Sequence, residues 1–61
     1  MLNNKFECIR INKGYGYEVY KAYNYEGMTD NEIIDKCDFC NFGGNVTRYE
    51  NGYAIVKVYI D

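Results

Sequence analysis

The sequence predicts an α+β protein of ββαββ order, with a four-stranded antiparallel sheet and one helix packed on one face; three observations predict it. Thr29 and Glu32 stand in capping-box spacing ahead of an apolar run, the local signature of a helix start. Asn51-Gly52 joins two β-prone runs and is the preferred pair for a type I′ hairpin. Asn12-Lys13-Gly14 closes an earlier β-prone run, with glycine where a left-handed residue is wanted. The 61 residues make a single domain, 1–61. A chain this short buries only about 60% of the surface its unfolded form exposes, so its core is marginal and oligomerisation is an expected supplement.

In chain order, Lys5 to Ile11 reads as the first strand, and a three-residue loop would pair Ile11 with Tyr15, Ile9 with Tyr17 and Glu7 with Val19. Phe6, Cys8, Tyr20 and Ala22 then share the opposite face. The second strand runs from Tyr15 to about Tyr25 and sends tyrosines to both faces. Gly27 breaks it and admits the helix, where Met28 and Ile33 fit a hydrophobic staple around the Thr29 cap. Ile33, Ile34 and Cys37 turn to the sheet and Asp30, Asn31, Asp35 and Asp38 outward. The helix ends near Asp38, and Phe42 is expected to plug the end of the core. Asn45 to Glu50 and Tyr53 to Ile60 form the second hairpin, with Ala54, Val56, Val58 and Ile60 as the core face and Tyr53, Ile55, Lys57 and Tyr59 on the other. A type I′ turn pairs Glu50 with Tyr53 and leaves Val46 outside. A three-residue loop with a bulge at Gly52 instead brings Val46 into the core and moves Tyr49 out. The first register is preferred here. No repeat, linker or low-complexity tract is read along the chain.

Composition excludes much chemistry. With no His, Ser, Pro, Trp or Gln, no Ser-His or Cys-His nucleophile pair can be built, so a non-enzymatic protein is expected. Cys37 and Cys40 have CxxC spacing and Cys8 is a third thiol, but a structural zinc site wants four ligands and no second pair exists. A redox dithiol would place its reactive cysteine at a helix N-terminus, whereas these lie at the C-terminal end. Packing is the expected role of Cys37, with Cys40 an incidental loop residue and no metal or cofactor implied. The chain shows no apolar run of signal-peptide or membrane length, and a reducing cytoplasm is expected.

Charge is unevenly distributed about a net value of −2. Residues 26–38 hold five acids and one base, and the remaining chain carries +2. Asp30, Asp35 and Asp38 read as a solvated helix face, or else as an acidic contact surface for a partner with a basic groove. The sheet face away from the helix is expected to expose Phe6, Tyr20, Tyr53, Ile55 and Tyr59, an apolar patch of the kind that marks a homodimer interface. The same basic, tyrosine-bearing sheet could hold a single strand of nucleic acid through residues such as Arg48 and Lys57. The dimer is favoured, because the bases are spread over four strands and mixed with Glu7, Glu18 and Glu50.

Tyr25-Glu26-Gly27-Met28-Thr29-Asp30-Asn31-Glu32-Ile33-Ile34, followed by Cys37-Asp38, Asn41-Phe42-Gly43-Gly44 and the closing Val56-Lys57-Val58-Tyr59-Ile60-Asp61, resembles small phage and prophage proteins of AT-rich Gram-positive bacteria. The likeness covers the C-terminal two thirds and rests on a capped helix and a glycine turn. In size and style the chain is similar to anti-defence proteins, the inhibitors of CRISPR nucleases and of the Hachiman system. That resemblance implies an inhibitor that binds an immune effector directly in the host bacterial cytoplasm; the homodimer is expected from the apolar sheet face and the marginal core. It carries over no functional residue.

Overall fold

The computed structural model describes residues 5–60. Residues 1–4 and the Asp61 of the closing run lie outside the described residues. Four strands and one helix follow in order: β1 (Glu7–Gly14), β2 (Tyr17–Tyr23), α1 (Asp30–Cys37), β3 (Gly44–Arg48) and β4 (Tyr53–Tyr59). They form the expected α+β, ββαββ arrangement, an open antiparallel sheet of order β1-β2-β4-β3 with the helix across β3 and β4.

The helix starts as its sequence requires. The Glu32 amide donates to Thr29 Oγ1 at 3.2 Å and the Thr29 amide donates to Glu32 Oε1 at 2.8 Å, closing the capping box. Its last turn closes with the Asp38 amide on the Ile34 carbonyl, after which Asp38 is extended and the helix stops. Ile33 and Ile34 are buried against Ala22, Val56 and Val58, while Met28, Cys37, Val46 and Ile60 pack around them.

Both hairpins depart from the expected register. The first turn is made by Tyr15 and Gly16, with Gly16 at φ +75°, so Gly14 pairs with Tyr17 inside the ladder. The Tyr17 ring occupies the space a Gly14 side chain would need. An unpaired Ile11 between Arg10 and Asn12 makes a bulge, which shifts the alternation of β1 by one residue, so that Glu7 and Ile9 before it and Asn12 and Gly14 after it share a face. In the second hairpin a type I′ turn needs positive φ at both central residues; Gly52 has it (+93°) and Asn51 does not. The loop therefore has three residues, Val46 pairs with Val56 on the core side, and Tyr49 lies outside, stacked on Tyr53. Phe42 does not plug the core: it is 75% exposed, because its amide is fixed to the Tyr59 carbonyl with the ring turned to solvent.

The register also sets side by side two copies of a short string that recurs in the sequence. β2 reads Tyr-X-Val-X-Lys-X-Tyr and β4 reads Tyr-X-Ile-X-Lys-X-Tyr. Tyr17 pairs with Tyr59, Val19 with Lys57, Lys21 with Ile55 and Tyr23 with Tyr53. A half-turn about the sheet normal carries one set onto the other.

Candidate functional site

Directly paired residues of a sheet project to the same side, so the outward positions of β2 and β4 assemble one surface away from the helix. Lys21 lies 5.7 Å from the ring centroid of Tyr23, two residues on, and 4.4 Å from that of Tyr53 on the neighbouring strand. Lys57 repeats this at 5.5 Å from Tyr59 and 4.6 Å from Tyr17. Each ammonium sits over two rings, an attraction of roughly 0.5–1 kcal/mol at such partly exposed positions. Val19 and Ile55 fill the space between these two lysine–tyrosine clusters. Glu7, paired with Tyr23 at the β1 edge, is the only carboxylate the described strands place on this side. The surface is positive and aromatic at both ends.

The residues expected at a dimer interface divide between the two faces. Tyr53, Ile55 and Tyr59 lie on the outward surface, whereas Phe6 and Tyr20 pack against the core on the helix side. Alternation correctly groups Phe6, Cys8, Tyr20 and Ala22, but Ala22 lies beside Ala54 in the buried layer and takes its face with it. The Tyr20 hydroxyl donates to Glu18 Oε1 and Arg10 Nη1 donates to Glu18 Oε2, both at 2.8 Å. Glu18 is 7% exposed, and the Tyr20 bond first, then Arg10, hold its carboxyl below the usual carboxylate range. Burial, then Glu18, pushes the Tyr20 hydroxyl up. This trio ties β1 to β2 and satisfies a buried charge.

Of the two bases expected to meet nucleic acid, Lys57 is on the outward surface and Arg48 is not. Arg48 pairs with Ala54 on the helix side, donates to Asp30 Oδ1 at 2.6 Å and to the Met28 carbonyl at 2.9 Å, and lies over Tyr25. Asp30 is thereby neutralised. Asp35 accepts from Asn41 at 2.8 Å, and Asp38 is half-buried rather than outward, its Oδ1 accepting the Cys40 amide at 3.0 Å. Asp30 and Asp38 stand at opposite ends of the helix, about 12 Å apart along its axis. The three acids do not form one patch. Asp35 and Asp38 instead brace the 38–43 loop, which holds Phe39 and Phe42 at 87% and 75% exposure.

Sequence reasoning missed Tyr17, Val19, Lys21 and Tyr23 as site residues and Phe39 and Phe42 as exposed anchors. The paired Tyr-X-(Val/Ile)-X-Lys-X-Tyr strings were the available signal for the first four. Cys37 interacts with Cys8, and burial, then Cys8, raises its thiol pKa, which disfavours a reactive thiolate. Among the described residues no group of three His, Cys, Asp or Glu side chains is placed to hold a metal ion, and no helix is long and apolar enough to cross a membrane.

Fold and surface together define a small α+β protein with an open, lysine- and tyrosine-bearing sheet face. No family model matches the chain, and no curated protein or solved structure is significantly similar to it.

Proposed function

We propose that this chain is a non-enzymatic binding protein that works through the uncovered face of its sheet, and that its ligand there is single-stranded nucleic acid. The observation that carries the reading is the placing of Lys21 and Lys57 among four tyrosine rings on one face. Tyrosine rings offer stacking surfaces to unpaired bases, worth about 1–3 kcal/mol per base, while lysines neutralise the backbone. A duplex hides its base faces and gains only the charge term. A single-stranded oligothymidylate should therefore bind at low salt, weaken as salt rises, and bind more tightly than a duplex of equal length. The absence of any mobility or anisotropy change with single strands at low salt would sink this reading.

A second reading, a homodimeric phage-type inhibitor of a bacterial immune effector acting in the host cytoplasm, is supported by a different observation. Phe39 and Phe42 project from a loop fixed by the Asn41, Asp38 and Tyr59 hydrogen bonds, beside the carboxylates of Asp35 and Asp38. Rigid exposed aromatics flanked by acids suit an apolar pocket with a basic rim. Val19 and Ile55 at the centre of the sheet face would be the dimer contact, and the resemblance to phage anti-defence proteins supplies the target class. Sedimentation at micromolar concentration should then give twice the 7.2 kDa chain mass, and Ile55→Asp should return it to the monomer. A monomer mass for the parent protein removes the dimer.

A further inference from the structure

The half-turn relation between β2 and β4 has a consequence for any ligand that has a direction. A nucleic-acid strand laid along β2 and β4 and then reversed meets the same groups of these two strands in the same order, because the half-turn exchanges Lys21 with Lys57 and the Tyr23–Tyr53 pair with the Tyr59–Tyr17 pair. The ring distances keep this equivalence to within 0.2 Å, since 5.7 and 4.4 Å on one side match 5.5 and 4.6 Å on the other. We infer that the outward face binds a short single strand with no preference for its 5′-to-3′ direction, each lysine taking a phosphate and each tyrosine pair a base. The inference rests on the nucleic-acid reading above.

Charge selects this occupant over a second copy of the chain. Face-to-face pairing would set the two lysines of one copy against the two of the other, with Glu7 the only carboxylate that the described strands place on this face to offset them. A polyanion relieves that repulsion. The acidic helix lies on the far side, so a polyanion is also steered to this face and not the other. The end pairs are six residues apart along the strands, about 20 Å, which sets a ligand of a few nucleotides.

The test uses an oligothymidylate of about ten nucleotides, inside the range of known single-strand site sizes. Two lysine contacts on a single strand give a slope of log K against log salt of about −1.4, and either Lys21→Gln or Lys57→Gln should halve it to about −0.7. The two variants should lose affinity by the same factor, roughly three- to tenfold at low salt, and Lys→Arg at either position should restore it. With an acceptor dye on the exposed Cys40, a donor at the 5′ end and a donor at the 3′ end should transfer equally. Binding in which one lysine carries nearly all the loss, or transfer from one end alone, overturns the direction-free inference while leaving the nucleic-acid reading standing. No binding by the parent protein overturns both. So does equal binding of inorganic polyphosphate, which has charge but no bases, or a dimer mass that the oligonucleotide leaves unchanged.

Discussion

Ile33→Ala should cost about 3 kcal/mol and lower the melting temperature by more than about 10 °C. Ile33 is fully buried and is among the largest side chains in the core, fixed between the helix and the β4 valines. Removing its outer carbons forfeits their transfer free energy and leaves a cavity that the helix cannot close, because the Thr29 cap and the Arg48–Asp30 bridge hold its start in place. A domain of this length has a total stability on the order of 3–9 kcal/mol, so one substitution removes a large part of it. Thr29→Ala is the comparison: it loses the cap alone and should cost about 1 kcal/mol. Urea unfolding followed by circular dichroism measures both. If the Ile33 variant is no less stable than the Thr29 variant, the helix is not packed on the sheet as described.

Gly44→Ala should be nearly as damaging, at about 2–3 kcal/mol, although only one methyl group is added. A Cβ at this position would run into the Lys57 carbonyl oxygen and stand 3.1 Å from its carbon and 3.2 Å from Val58 Cα. These are backbone atoms of a central strand, so no side chain can swing aside and β3 has to move away from β4. Amide exchange along Gly44–Arg48 should quicken in the variant. Oligonucleotide binding should fall as it does in Lys57→Gln, since the distortion begins at the residue that carries that ammonium. A variant with parental stability and exchange would show that the two strands do not approach this closely.

The helix was legible in the sequence because its signals are local. Thr29, Glu32, Met28 and Ile33 fix its start through contacts within five residues, and no other part of the chain has a say in them. The hairpins were legible as hairpins but not in register. Asn51-Gly52 satisfies either a two- or a three-residue loop with the same glycine, and the choice follows from burying Val46 opposite Val56, a tertiary demand. Ile11 shows the same limit, since nothing in its neighbours marks it as the extra residue of a bulge. For the candidate site, alternation grouped Phe6 with Tyr20 but could not say which face the helix covers. Arg48 reads as a free base in the sequence, yet it is committed to Asp30 and Met28 through a contact spanning about twenty residues of chain. Lys21 is one of six bases that the sequence interleaves with tyrosines along the strands, and it could not be singled out for the complementary reason: its partners Tyr53 and Ile55 become neighbours only through the β2–β4 pairing.

In β2 and β4 the odd-numbered positions carry one shared vocabulary and the even-numbered positions two different ones. Inward, β2 sets Glu18 and Tyr20 in the Arg10 bridge and Ala22 against the helix isoleucines, whereas β4 gives Ala54, Val56 and Val58 to the buried layer without a polar group. Outward, the two strands differ only by Val19 against Ile55. Each strand is thus two interleaved texts that can be edited separately. The outward one can be transplanted from either strand to the other as a four-residue set, or into an unrelated antiparallel pair as both sets together, and the interior is left unread.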